Sequence, residues 1–142
     1  MIKKQLFYWT LAWSLMALAA VSATAEDEAP VASAKPYLVK VHADWCTSCA
    51  MLSLTWEKLV ERHADDANIV ILDVTDKEHT EKAAARAEEL GIQEFYEANV
   101  GRTGTVGVLM PDGSPVEVFK GRLDHRDYTA AIESAKEKLA AQ

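Results

Sequence analysis

The two cysteines are the residues of this chain whose type and spacing most directly allow chemistry. Cys46 and Cys49 are the only cysteines in the 142-residue sequence, and Thr47 and Ser48 separate them. Two thiols one helical turn apart can close a small disulfide ring and so exchange two electrons with a partner. A bond that closes so short a loop constrains little of the unfolded chain, which makes a purely structural role a weak explanation. The spacing therefore favours dithiol–disulfide exchange.

The residues on either side of the cysteines predict a strand that leads into a helix. Residues 37–43 are mostly β-favouring and lie between Pro36 and the cysteine turn, so they predict a strand. After the pair, apolar residues recur at helical spacing at Leu52, Trp56, Leu59 and Val60. Because a helix N-terminus stabilises a thiolate, this placement favours ionisation of Cys46.

The next part of the sequence predicts elements that would hold this junction in place. Residues 69–74 form a nearly continuous apolar run, which predicts a strand buried on both faces. Asp76 can cap a helix over residues 77–90, and Gly91 is placed to end it. Residues 92–104 predict a short helical turn that packs its aromatic side chains inward and then breaks at its glycines.

The C-terminal part predicts a hairpin and a last helix. Residues 105–110 and 116–119 predict two strands joined by a turn at 111–114, and therefore an antiparallel hairpin. Asp124 is placed to cap a helix whose inner face is formed by Tyr128, Ala131, Ile132, Ala135 and Leu139. The order β-α-β-α-β-β-α predicts an α/β fold with a central mixed sheet of about four strands and helices on both faces.

The first residues of the sequence match a secretory signal. Lys3 and Lys4 precede an apolar run over residues 6–21, and Ala23-Thr24-Ala25 fits the small-x-small cleavage rule. An uncleaved anchor is the alternative, because the apolar run is near the lower length limit for spanning a bilayer. There is no twin-arginine pair, so the general secretory route is the simpler expectation.

This signal divides the sequence into three predicted parts. They are a signal peptide over residues 1–25, a flexible lead-in over residues 26–35 and a single domain over residues 36–142. Positive charge before the apolar run and none directly after it predicts an exported domain. The expected location is the periplasm, either free or anchored to the inner membrane and facing the periplasm.

The charge of the chain excludes one class of partner. The sequence has 15 Lys and Arg against 22 Asp and Glu, a net charge of −7. Removal of residues 1–25, which hold two lysines and no acidic residue, leaves a net charge of −9. A surface this acidic argues against nucleic acid as a partner.

The order of elements, together with the segment Val41-His42-Ala43-Asp44-Trp45-Cys46-Thr47-Ser48-Cys49, resembles the thioredoxin family. The Ala-Asp-Trp-Cys part looks most like the C-terminal domain of the bacterial thiol:disulfide interchange protein DsbD and its relatives. The resemblance covers roughly residues 36–142 and implies a thioredoxin-like fold.

The resemblance also implies thiol:disulfide oxidoreductase activity, with a different role for each cysteine. Cys46 would be the exposed nucleophilic thiolate, and Cys49 the buried resolving thiol that releases the mixed disulfide. Trp45 would shield the site and offer an apolar surface to a partner chain, with ordinary core packing as its alternative role. Thr47 and Ser48 would shape the site, and since neither is basic they favour a moderate reduction potential over a strongly oxidising one.

Three features depart from the family pattern. Thr105 stands where the family places a cis-proline opposite the cysteines, so it would hold the substrate-binding loop with a trans bond or hydrogen-bond a cysteine sulfur. Lys40 stands where the family often buries a proton-accepting aspartate, and a lysine that reaches the surface is expected because buried lysines are rare. Residues 92–104 exceed the usual connection in length and are predicted to form a rim over the site.

The resemblance implies protein disulfides as substrates and a membrane-bound thiol electron donor as redox partner, without a cofactor. Membrane contact would come only through the signal or an uncleaved anchor. The direction of electron flow stays open.

Two other functions stay open. A non-catalytic binding module would present Trp45 and the segment 92–104 to one partner, with the cysteines as a static disulfide. A metal-delivery protein would combine the two cysteines with histidine. The candidates are His42 together with His63 or His79, and the late His125. A tight zinc site would want four ligands in a recognisable pattern, so no metal is expected.

Overall fold

The computed structural model describes residues 35–142. The predicted signal peptide, residues 1–25, and all but the last residue of the predicted lead-in, residues 26–35, lie outside the described residues. Within residues 35–142, no helix is both long enough and apolar enough to cross a membrane.

The described chain contains four strands and four helices. They are β1 (Tyr37–His42), α1 (Thr47–His63), β2 (Asn68–Asp73), α2 (Lys77–Glu89), α3 (Gln93–Asn99), β3 (Thr105–Leu109), β4 (Pro115–Lys120) and α4 (His125–Ala140). The strands form one sheet in the order β2-β1-β3-β4. β1 runs parallel to β2 and antiparallel to β3, and β3 forms the predicted hairpin with β4. The predicted mixed sheet of four strands is confirmed.

Helices cover both faces of this sheet. Because the side chains of a strand alternate between the two faces, β1 has side chains that pack under the helices on each face. On one face, Leu38 of β1 packs in a cluster with Leu59 of α1 and Ile132 of α4. On the other face, Val39 of β1 packs in a cluster with side chains of α2 and α3. The interior strand β1 therefore contributes to both cores, and the chain that leaves it enters α1 directly at the cysteines.

The prediction that residues 69–74 are buried on both faces is wrong. These residues form β2, which is an edge strand of the described sheet, and the Ile71 side chain is 49% exposed. The strands buried on both faces are the two interior ones, β1 and β3. A short apolar run indicates a strand, but it does not state the strand's place in the sheet, which only long-range pairing decides.

The predicted helix caps form. The Asp76 carboxylate accepts a hydrogen bond from the backbone N–H of His79 at 2.9 Å, and Gly91 follows α2 with φ at +70°. At α4, the Asp124 carboxylate accepts from the backbone N–H of Arg126 at 3.0 Å. These side chains satisfy N–H groups that have no partner inside the helix, so both helix starts are set by sequence close to the cap.

Candidate active site

The two cysteines lie at the N-terminus of α1, where they are joined by a disulfide with a Cα–Cα distance of 5.2 Å. Cys46 is the N-cap residue of the helix, and its Sγ accepts a hydrogen bond from the backbone N–H of Cys49 at 3.1 Å. The position between β1 and α1 is the one the sequence predicts. In the reduced protein the same N–H points at the sulfur that would carry the negative charge.

The electrostatics of α1 favour a thiolate at Cys46. The first turn contains no acidic residue, while Arg62 and His63 lie in the last turn, where positive charge is favourable. The partial positive charge of the helix N-terminus therefore acts on Cys46 without a nearby carboxylate of the same turn to oppose it. This arrangement suits a sulfur that has to attack as an anion.

Both cysteines are buried in the disulfide-bonded protein. Cys49 is 3% exposed, as predicted for the resolving thiol, but Cys46 is only 6% exposed, so the expectation of an exposed Cys46 is wrong for this state. The Ser48 hydroxyl lies 3.2 Å from Cys46 Sγ, and the backbone at Gly104 covers the sulfur from the other side. The sequence around the cysteines gives no sign of this cover, because it comes from a segment distant in the chain.

Gly104 is the site residue that sequence reasoning missed. Its backbone N–H donates to the carbonyl oxygen of Val41 at 2.8 Å, and its φ is +81°. A Cβ at this position would collide with the Ser48 side chain and lie 3.7 Å from Cys46 Sγ. Only glycine combines this conformation with so close an approach. The available signal was its place directly before Thr105, although the sequence suggested only a helix break.

The carbonyl oxygen of Val41 connects the dithiol to this loop. It accepts the Gly104 N–H and also lies 3.8 Å from Cys49 Sγ. In the reduced protein, the same oxygen is placed to accept a weak hydrogen bond from the Cys49 thiol. The end of β1 therefore contacts both the loop at Gly104 and the Cys49 sulfur through the same carbonyl oxygen.

Thr105 is placed next to the site but does not contact the sulfurs through its hydroxyl. It is 1% exposed, and its Oγ1 donates to the carbonyl oxygen of Arg102 at 2.7 Å. All peptide bonds of the described residues are trans. Of the two roles that the sequence allows, the structure has the trans-bonded loop and not the hydrogen bond to sulfur.

Trp45 lies at the surface beside the disulfide. Its side chain is 66% exposed, so ordinary core packing is wrong as an account of it. The indole N–H donates to the carbonyl oxygen of Thr75 at 2.9 Å, and the backbone N–H of Asp44 donates to the Thr75 hydroxyl at 3.0 Å. These bonds fasten the turn before Cys46 to the segment after β2. Met51 and Leu54 of α1 are exposed as well.

Lys40 is buried, so the expectation that it reaches the surface is wrong. It is 6% exposed, and its Nζ lies 4.7 Å from the centroid of the Trp56 ring. Burial lowers the pKa of the Lys40 ammonium below its ordinary value of 10.5. The physical reason is its position on the interior strand β1, between Ile71 and Val106, with its ammonium against the Trp56 ring of α1.

The histidines considered as metal ligands do not gather at the cysteines. His125 starts α4 and lines a surface depression with Lys58 and Arg62 of α1, more than two helical turns from the cysteines. His42 is close to the site in sequence, but its Nε2 faces the carboxylate of Asp44 at 3.3 Å.

One histidine lies among carboxylates elsewhere in the fold. His63, Asp66 and Glu133 place candidate ligand atoms within 4.8 Å of one another. The Lys136 ammonium already bonds Asp66 at 2.8 Å and Glu133 at 3.1 Å, while the His63 ring bonds Asp66 and Thr129. The cluster is thus a hydrogen-bonded network that joins the C-terminal end of α1 and the turn after it to α4.

Comparison with known families and proteins gives consistent matches. The family model described as Thioredoxin matches residues 19–101. A protein of Schizosaccharomyces pombe named for protein disulfide-isomerase, C1F5.02, is 37% identical over 54 residues, which is 37% of this chain. The matching part is only 11% of that relative's length.

Solved structures are similar over most of the chain. A thioredoxin of Fasciola hepatica is 21% identical with a TM-score of 0.52, over 75% of this chain and 86% of that one. A mutant thioredoxin of Halobacterium salinarum is 26% identical with a TM-score of 0.50, over 72% of this chain and 75% of that one. The architecture of these proteins is the one described above.

Proposed function

This chain belongs to the thioredoxin family, and on that premise we propose that it is a thiol:disulfide oxidoreductase that acts through Cys46 and Cys49. The observation that carries the proposal is the placement of the disulfide at the N-terminus of α1. There the first sulfur receives the Cys49 N–H at 3.1 Å, whereas the second lies 3.8 Å from the Val41 carbonyl oxygen, in surroundings that do not favour an anion. That asymmetry is what a two-step exchange needs.

In the reducing direction, the Cys46 thiolate attacks one sulfur of a substrate disulfide. A mixed disulfide forms, and the released substrate thiolate takes up a proton from water. Cys49 then loses its proton and attacks Cys46 Sγ, which breaks the mixed disulfide and releases the second substrate thiolate. Two electrons have passed from the dithiol to the substrate, and the Cys46–Cys49 disulfide of this structure is the product. A dithiol donor restores the reduced form, and the reverse sequence oxidises a substrate dithiol.

Protein disulfides are the proposed substrates. The support is the set of large apolar side chains that α1 and the turn before it expose, since Trp45 is 66% exposed, Met51 61% and Leu54 70%. Exposed apolar side chains on the element that carries a reactive group suit an extended or unfolded chain, whose own apolar side chains they can cover. A membrane-bound thiol donor is the proposed source of electrons, as the resemblance implies.

We also propose that the domain works in the periplasm. The support is the sequence of the first 25 residues, which reads as a Sec-type signal. In a bacterial host that exports the full chain, osmotic shock should release a protein that begins at Glu26. A protein of full mass in the membrane fraction would favour the anchored form, and one retained in the cytoplasm would oppose the proposal.

Insulin reduction driven by dithiothreitol tests the proposed activity. The protein of residues 26–142 should accelerate insulin precipitation, and Cys46→Ser should reduce the rate to that of dithiothreitol alone, because the remaining thiol, Cys49, is buried and does not occupy the helix N-cap. Ser53→Ala is the matched control, since Ser53 is exposed on the same helix and bonds only its own backbone turn. A wild-type rate equal to the background, or full activity of Cys46→Ser, would overturn the proposal and leave the binding module as the better explanation.

A further inference from the structure

Lys40 is an unusual residue in this fold. Of the Asp, Glu, Lys and Arg side chains in residues 35–142, it is the only one that is buried. A buried charge ordinarily has a partner of opposite sign, because the loss of hydration is otherwise uncompensated. Lys40 faces an aromatic ring instead, with its Nζ 4.7 Å from the centroid of Trp56. A ring face attracts a cation but leaves its net positive charge in place.

The position of this charge relates it to the dithiol. Trp56 and Cys49 lie on the same buried face of α1, seven residues apart, which is a rise of about 10 Å. Helical side chains lean toward the N-terminus, so the Trp56 ring lies nearer to Cys49 than its backbone does. Lys40 also directly precedes Val41, whose carbonyl oxygen is 3.8 Å from Cys49 Sγ. The ammonium therefore lies under the middle of α1, on the order of 10 Å from the sulfurs.

The surroundings leave this charge unopposed. From β2 and β3 the neighbouring residues are Ile71 and Val106, which are apolar. From α4 the titratable group on this face is Tyr128, whose burial raises its pKa to about 12 and keeps it neutral. From the far end of α1 comes His63, which is hydrogen-bonded to Asp66 and Thr129. The groups near the two ends of α1 that can carry a negative charge are therefore Asp66, which is already bonded to His63 and Lys136, and the cysteines, which pack with Val41 and Ala43 at the end of β1.

We propose that the buried Lys40 ammonium is part of the redox site and stabilises the thiolate that forms when the disulfide is reduced. The inference rests on the proposed exchange activity. Two unit charges about 10 Å apart in a protein interior shift an ionisation by roughly one pH unit. Stabilising the thiolate also stabilises the reduced protein, which makes the couple more oxidising. Lys40 acts through space and does not touch the reacting atoms, so it is a positioning residue.

Lys40→Met removes the charge and keeps the length of the side chain. The pH at which half of Cys46 is ionised, read from the rate of iodoacetamide alkylation, should rise by about one unit. The equilibrium constant for exchange with glutathione should move up to about tenfold toward the disulfide. Lys40→Arg, which keeps the charge, should restore both values. Lys58→Met is the matched control, because Lys58 is an exposed lysine on α1.

The outcomes separate the inference from the function on which it rests. A wild-type protein that does not exchange with glutathione would remove the proposed function. The inference alone would be overturned by a different pair of results. The wild-type protein would exchange normally, and the alkylation midpoint of Lys40→Met would differ from that of the Lys58→Met control by less than about 0.2 pH units.

A second measurement needs no variant and covers the case that Lys40→Met does not fold. Coupling between two charges is reciprocal, so the thiolate must also stabilise the ammonium. NMR titration of the Lys40 side chain should give a higher midpoint in the reduced protein than in the disulfide form. Equal midpoints in the two forms would overturn the inference.

Discussion

Replacement of Cys49 by serine should stop turnover with the protein covalently bound to its substrate. The first attack uses only Cys46, which keeps its place at the helix N-terminus and the N–H of residue 49, so the mixed disulfide still forms. The second attack has no sulfur to perform it. Multiple turnover in the insulin assay should fall toward the dithiothreitol background. When the pre-reduced variant is mixed with substrate in the absence of dithiothreitol, one equivalent of substrate should accumulate on the protein.

The burial of residue 49 makes the mixed disulfide between Cys46 and the substrate long-lived. The serine hydroxyl would lie where Cys49 is 3% exposed and faces the Val41 carbonyl, so it is neither a competent nucleophile nor a route for water. Mass spectrometry under non-reducing conditions should find the adduct of Cys49→Ser with a peptide that contains one disulfide, and excess dithiothreitol should release it. Cys46→Ser should form no such adduct. An adduct of equal yield on Cys46→Ser would mean that the roles of the two cysteines are reversed.

Much of the fold could be predicted from sequence because it rests on local rules. The spacing from Leu52 to Val60 gives a helix, the turn at residues 111–114 gives a hairpin, and Asp76 and Asp124 mark helix starts through bonds to residues two or three positions away. Each of these signals lies within one element or its flanks. The strand–helix junction at the cysteines follows from the same signals.

The predictions that are wrong concern contacts between residues far apart in the chain. Ile71 is expected in the core because it lies in an apolar run, but it is half exposed because β2 is an edge strand of the sheet. Lys40 has the composition of a surface residue, but the pairing of β1 with both β2 and β3 encloses it. Cys46 is covered because Gly104, 58 positions later, returns to it. In each case tertiary pairing decides the burial, and no short window of sequence contains both partners.

The same long-range contacts form the site. Val41, at the end of β1, binds the Gly104 N–H and lies beside Cys49, while Thr75 after β2 holds the turn that carries Trp45. The helix supplies a favourable potential at Cys46, but the two neighbouring segments set how far the sulfur is covered. Opening or reshaping this cover should therefore change reactivity without any change in the cysteines.

Gly104→Ala should impair both stability and exchange. At φ +81° an alanine is strained, and its Cβ would collide with the Ser48 side chain against Cys46. Strain and overpacking together should lower the free energy of unfolding by about 2 to 4 kcal/mol, measured by urea denaturation. Displacement of the loop from the dithiol should lower the insulin-reduction rate by about 10- to 100-fold.

Gly121→Ala separates the two contributions. Gly121 also has a positive φ, at +69°, but a Cβ there would meet no atom within 4 Å. Its substitution should cost about 1 to 2 kcal/mol of stability and leave the exchange rate unchanged, because only the backbone strain is present. Adding Ser48→Ala to Gly104→Ala removes the hydroxyl from the collision and should recover part of the lost rate. Equal exchange rates for Gly104→Ala and Gly121→Ala would show that the approach of residue 104 to Cys46 has no part in catalysis.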